Sequence, residues 1–138
     1  MSPVFLDTSG LIAVVNADDS LRTDALKIWH RLIATRVPLI TTSLVLVELG
    51  DGLSRVRLRH LAIETRRRLL DSPTCDVIQV TPEAEVEGWD LFINRGDKSW
   101  GVTDCISMVI AKQCLVTSVF GSDRHFEQAG FEVLLRKP

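Results

Sequence analysis

The sequence has no surplus of positive charge: 16 Lys and Arg face 18 Asp and Glu, for a formal net charge of −2. No global positive field advertises nucleic acid, so any such contact has to come from a local basic patch or a bound cation. Aromatic residues are few, at 6%, against 46% hydrophobic and 25% charged. That balance is ordinary for a globular chain and excludes disorder and fibrous repeats. The cysteines Cys75, Cys105 and Cys114 form no CxxC pair and have no histidine at ligand spacing. A zinc site and a disulfide framework are both disfavoured, and free buried thiols in a reducing cytosol are expected. Met1-Ser2-Pro3 lacks the basic stretch and cleavage site of a signal peptide. No apolar run reaches the length of a membrane span, so a cytoplasmic protein is expected. There is no linker or repeat, and 1–138 reads as a single domain.

Five short apolar runs read as strands: Val4–Leu6, Pro38–Thr41, Asp76–Val80, Leu115–Phe120 and Glu132–Leu135. Several are continuous Val, Ile, Leu and Phe stretches, which suit a parallel sheet covered on both faces. Between them lie helical patterns. Leu21, Ala25, Ile28, Trp29, Leu32 and Ile33 recur at helical spacing with Arg22, Asp24, Lys27 and Arg31 opposite. Thr81-Pro82-Glu83 opens another helix as cap, first-turn proline and dipole complement, with an apolar stripe through Val86, Trp89 and Ile93. Cys105–Cys114 is apolar almost all round and reads as a buried helix. Alternating strands and helices predict right-handed βαβ units in a three-layer α/β/α sandwich with a five-stranded parallel sheet.

In such a sheet ligands bind beyond the carboxyl ends of the strands. Asp7 ends the first strand, and Asp123 follows the fourth by three residues. Asp104 begins the buried helix, with Thr103 placed to cap it, and Glu48 is the one acid in the apolar run Leu44–Leu49. Each has a plain structural reading: Asp7 as a cap, Asp104 at a helix start, Asp123 in a turn beside Arg124. Together, on one sheet edge and with no adjacent lysine or arginine at Asp7, Glu48 or Asp104, they require a counter-charge. An all-carboxylate set points to Mg²⁺ or Mn²⁺. Asp7 and Asp104 are expected on the cation directly, with Glu48 and Asp123 direct or through water. Thr8, Thr103 and Ser122 are expected as supporting donors, and Asp97 as a fifth acid at the rim.

These stretches resemble the PIN-domain ribonucleases, in particular the toxin halves of VapBC-type toxin–antitoxin modules. Val4-Phe5-Leu6-Asp7-Thr8-Ser9, Val47-Glu48, Asp97–Cys105 with its Trp-x-x-Thr-Asp-Cys, and Ser122-Asp123-Arg124-His125-Phe126 carry the resemblance in order along the chain. It implies a PIN-like fold and a Mg²⁺ or Mn²⁺ site at Asp7, Glu48, Asp104 and Asp123. It also implies endonuclease activity on RNA, through water that the cation activates, leaving a 5′-phosphate and a 3′-hydroxyl. A homodimer and a small antitoxin entering the active-site groove are implied as well. Gly50 and Gly52 depart from the pattern, and glycine costs a helix interior about 0.5–1 kcal/mol, so the Glu48 helix is expected to end early or flex.

Arg55, Arg57, Arg59, Arg66, Arg67 and Arg68 form a basic region that either grips the RNA backbone or is a solvated face paired with Glu64 and Asp71. Trp100 is expected to pack beside the site, and His125 to be structural. His30 and His60 do not look catalytic. A receiver domain would want an acidic pair after the first strand, and a haloacid-dehalogenase-like phosphatase would want Asp-x-Asp, where this chain has Asp7-Thr8-Ser9. A nuclease without a toxin role, or a nucleic-acid-binding scaffold of weak activity, stand as alternatives.

Overall fold

The computed structural model describes residues 1–136. Five strands, β1 (Val4–Leu6), β2 (Leu39–Thr42), β3 (Cys75–Ile78), β4 (Ser118–Phe120) and β5 (Glu132–Val133), form one sheet in the order β3-β2-β1-β4-β5. Every pairing is parallel. Seven helices flank it: α1 (Thr8–Val15), α2 (Arg22–Ala34), α3 (Ser43–Gly52), α4 (Arg59–Asp71), α5 (Pro82–Asn94), α6 (Val102–Gln113) and α7 (Arg124–Gln128). No described helix is long and apolar enough to cross a membrane.

The central strands read as continuous apolar runs because both faces are covered: Val4, Phe5, Leu6, Val119 and Phe120 are all buried. Burial of large apolar side chains such as Phe5, Phe120, Phe126 and Leu49 dominates the stability of the core. Chain order reverses direction across the sheet between β1 and β4, where Leu6 pairs with Phe120. This switch point opens a crevice at the strand ends. Gly10 makes it possible, since a Cβ there would lie 2.3 Å from the Phe120 carbonyl oxygen. Only glycine lets α1 start this close to the end of β4.

Several sequence expectations shift. The fourth strand starts at Ser118, not Leu115. Helix α6 ends in a turn in which Leu115 takes φ 60° and the Val116 amide donates back to the Ala111 carbonyl. Leu115 thus fills the left-handed capping position that usually holds glycine, and it is 78% exposed. Helix α3 runs through both Gly50 and Gly52 to Gly52 without ending early. Thr81 does cap α5, accepting from the Ala84 amide at 3.1 Å, with Pro82 in the first turn.

The apolar stripe of α5 faces outward. Val86, Trp89, Phe92 and Ile93 are exposed, while Ala84 and Gly88 are buried against α6. A Cβ on Gly88 would come within 2.3 Å of Ile106 Cγ1 and 2.9 Å of its Cα, so small residues set this packing. Of the cysteines, Cys105 is buried and Cys75 and Cys114 are half-buried, all three as free thiols.

Candidate active site

Four stretches bring acids to the crevice. Asp7 follows β1 directly and caps α1. Its Oδ2 accepts from the Ser9 amide at 3.3 Å and from the Ser9 hydroxyl at 2.6 Å. The Ser9 hydroxyl in turn accepts from the Ser122 amide at 3.0 Å, which ties the end of β4 to the start of α1. Gly121 leaves room for this, because a Cβ there would sit 2.8 Å from Ser9 Oγ and 2.9 Å from Asp7 Cβ.

Asp123 caps α7, accepting from the His125 amide at 2.9 Å. Phe126 anchors that short helix, packing against Phe5 and Phe131 with 1% of its surface exposed. Asp104 sits in the first turn of α6 and reaches back to the Gly101 amide at 3.1 Å. The cap is therefore Gly101, two residues earlier than the sequence expectation of Thr103. Thr103 instead stands beside Glu48, whose ionisation its hydroxyl favours, and Thr8 donates its hydroxyl to Glu48 at 3.3 Å. Glu48 itself projects from α3, which starts at Thr42, whose hydroxyl accepts from the Val45 amide at 3.1 Å.

The three aspartates are thus each pinned by a backbone amide, and Glu48 by the Thr8 hydroxyl. Asp7 is buried, 7% exposed, and its carboxyl is pushed up to about 6. Loss of water is the main cause, with repulsion from Asp123 and Asp104 adding to it and the Ser9 bonds opposing it. Burial also raises Glu48, helped by the charges of Asp7 and Asp104. Among the described residues no ion pair joins these four acids to a lysine or arginine.

Among the described residues the one basic group at the cluster is His125, which sequence reasoning set aside as structural. Its Nδ1 lies 3.1 Å from Asp104 Oδ2 and 3.3 Å from Asp123 Oδ1. Only its place two residues after Asp123 hinted at this, because Asp104 is 21 residues away in sequence. Ser9 is the other residue passed over, though it stood in the Asp7-Thr8-Ser9 motif.

Two expected participants lie in other company. Asp97 is held by Arg95 through two bonds of 2.9 and 3.1 Å on an exposed loop, and the same guanidinium covers Trp100 at 5.0 Å. Trp100 packs as expected, buried and donating to Gln128 at 3.0 Å. In the basic region Arg67 and Arg68 are both paired with Glu64, at 2.6 and 3.0 Å, Arg57 lies 3.8 Å from Asp18, and Arg59 donates to the Ser54 carbonyl. Arg55 and Arg66 are exposed.

A divalent cation fits this donor set. The carboxylates repel one another with no lysine or arginine paired to them among the described residues, and hard oxygens are the ligands Mg²⁺ and Mn²⁺ take. Fold and site together define a parallel α/β/α domain with an acidic cluster at its topological switch point. The chain belongs to the PIN-domain family, whose sequence profile matches residues 4–132. It is similar to the 23S rRNA-specific endonuclease VapC20 of Mycobacterium tuberculosis, with 27% identity over 129 residues, 93% of this chain and 95% of that protein. The crystal structure of Mycobacterium tuberculosis VapC20, described as a sarcin-ricin loop cleaving toxin, superposes with a TM-score of 0.80 at 26% identity, over 93% of this chain and 95% of that one. FitAcB from Neisseria gonorrhoeae shares the fold, with a TM-score of 0.66 at 16% identity over 94% and 95% of the two chains.

Proposed function

We propose that this protein is a divalent-cation-dependent endoribonuclease acting as the toxin of a toxin–antitoxin pair. The observation that carries the reading is the convergence of Asp7, Glu48, Asp104 and Asp123 at the switch point, with no lysine or arginine among the described residues to neutralise them. Mg²⁺ or Mn²⁺ is the proposed ion, held by Asp7, Asp104 and Asp123 with Glu48 beside them. When bound, the cation supplies Lewis acidity toward a phosphate and cancels the charge that would otherwise repel an RNA backbone.

The residues do the rest. The backbone amides of Ser9, Gly101 and His125 fix the three aspartates before substrate arrives, which limits reorganisation during the reaction. Glu48, held by the Thr8 hydroxyl and by no backbone amide among the described residues, is the group best placed to accept a proton from the attacking water. Exposed Arg55 and Arg66 are the basic residues placed to meet RNA phosphates, since the described partners of Arg57, Arg59, Arg67 and Arg68 lie within the protein. Asp97 is proposed only as a rim residue, and Ser122 as the amide that orients Ser9.

Structured RNA is the proposed substrate class, and 23S rRNA is the first to test, because the relative VapC20 carries that specificity in its name. Two surfaces support the proposed assembly. The outward face of α5, with Trp89, shares a depression with Val47 and Thr103 and suits a second copy of the chain. The groove at Asp7, Glu48, Asp104 and Asp123 is the proposed entry for an antitoxin segment.

The test is cleavage of purified 23S rRNA with Mg²⁺ or Mn²⁺, followed by sequencing of the cut ends. Cutting that stops with EDTA, and is abolished in Asp104→Asn, is the expected result. Cleavage that survives both treatments would overturn the proposal.

A further inference from the structure

We propose that His125 is itself a ligand of the cation, and that its nitrogen makes the site select Mn²⁺ over Mg²⁺. This rests on the cation-dependent reading above and goes beyond its all-carboxylate ligand set.

The geometry comes first. One donor atom from each of Asp104, Asp123 and His125 lies within 4.8 Å of the other two. The imidazole Nδ1 is 3.1 Å from Asp104 Oδ2 and 3.3 Å from Asp123 Oδ1. Neighbouring ligands on an octahedral ion with bonds of about 2.1 Å sit roughly 3.0 Å apart. The spacing already present is therefore that of adjacent corners of one coordination sphere.

The positions are also fixed by the chain and not by chance rotamers. Asp104 is pinned to the Gly101 amide, and Asp123 to the His125 amide. Buried Phe126, next in sequence, locks the short helix that carries the ring. His125 is half-buried, with 33% of its side chain exposed, so the ring has limited room to swing away.

Chemistry then sets the preference. Imidazole ligates in its neutral form through a nitrogen lone pair, so with Nδ1 on the ion the proton sits on Nε2. Mg²⁺ demands oxygen and holds its waters tightly, and it gains little from a nitrogen donor. First-row transition ions gain more from nitrogen, and Mn²⁺ is the member of that series that also accepts a carboxylate-rich site. Two aspartates and one histidine thus tilt the balance toward Mn²⁺. Without a cation, the same nitrogen can donate to either carboxylate, which is the contact described.

The test uses the full chain loaded with Mn²⁺ alone or Mg²⁺ alone, in wild type, His125→Ala and His125→Asn. The asparagine variant keeps a polar atom at the position and guards against loss of folding. Pulsed electron paramagnetic resonance on the Mn²⁺ form reads a directly bound ¹⁴N, and titration calorimetry reads both affinities. The expected result is an imidazole nitrogen signal in wild type that both variants lack. Mn²⁺ affinity should fall at least about 10-fold while Mg²⁺ affinity changes by no more than about threefold. Bound Mn²⁺ without a nitrogen signal, or equal weakening toward both ions, would overturn the proposal and leave His125 as a positioning hydrogen-bond partner. Wild type that binds neither ion would overturn the cation reading as well, so the two failures are distinguishable.

Discussion

Replacing Asp7 with asparagine removes a charge that the folded protein holds against its own interest. Asp7 ionises near 3.8 when solvated and at about 6 in the fold, where burial and the charges of Asp123 and Asp104 oppose ionisation. Between those values the folded state keeps a proton that the unfolded state has released. The stability contributed by this group is therefore greatest below the unfolded pKa and falls as pH rises through the folded one. Fully developed above that window, the loss amounts to about 3 kcal/mol. Asparagine carries no such penalty but offers Ser9 a weaker acceptor, so Asp7→Asn should gain about 1–3 kcal/mol at pH 7.5 without metal. For a chain of this length that is a rise of roughly 3–10 °C in Tm.

The assay is thermal denaturation of both proteins in EDTA, from pH 4 to pH 8. The difference should shrink toward zero near pH 4, where wild-type Asp7 is protonated. Saturating Mn²⁺ should reverse the ranking, because an ion present at 100 times its Kd stabilises by about 2.7 kcal/mol and the variant has lost a ligand. If Asp7→Asn melts below wild type without metal at every pH, Asp7 is a stabilising helix cap and the electrostatic reasoning is wrong.

Four further outcomes are expected. Asp123→Ser keeps a side-chain oxygen to cap α7, so its Tm should stay close to that of wild type while RNA cleavage disappears; retained cleavage would remove Asp123 from the site. Ser9→Ala breaks both the 2.6 Å bond to Asp7 and the link to Ser122, and should lower cleavage by about 10–100-fold, measured at saturating metal. Leu115→Gly relieves a left-handed backbone at an exposed position and should stabilise by about 1 kcal/mol in denaturant unfolding. Trp89→Glu places a charge on the exposed face of α5 and should convert the proposed dimer to monomer in light scattering, with the fold unchanged by circular dichroism.

The sheet was legible because parallel strands buried on both faces must be continuously apolar, and Val4-Phe5-Leu6 and Val119-Phe120 obey that rule with an acid just beyond each. Leu115 was not, since its side chain suits a strand and only the turn that ends α6 sets its backbone. The packing face of α5 was not legible for a related reason. Periodicity weights large apolar residues, whereas close approach of two helices is decided by small ones, here Ala84 and Gly88 against Ile106. Ser9 and His125 escaped because their meaning lies in partners far along the chain. Ser122 is 113 residues from Ser9, and Asp104 is 21 from His125.

Capping and metal binding are usually offered as rival explanations of an acid at a helix start, and at this site they are one arrangement. Asp7 and Asp123 accept a helix amide through one oxygen, Oδ2 and Oδ1 respectively, and Asp104 accepts the Gly101 amide through Oδ2. Each carboxylate keeps a second oxygen with no hydrogen bond among the described residues. The amide fixes the side chain at little entropic expense, and the first-turn field of each helix stabilises the negative charge that ligation needs. Glu48 has no such amide among the described residues, and the Thr8 hydroxyl holds it instead. The cluster thus divides into three oriented acids suited to holding a cation and one looser acid suited to moving a proton. The division follows from where each residue stands relative to the start of its helix.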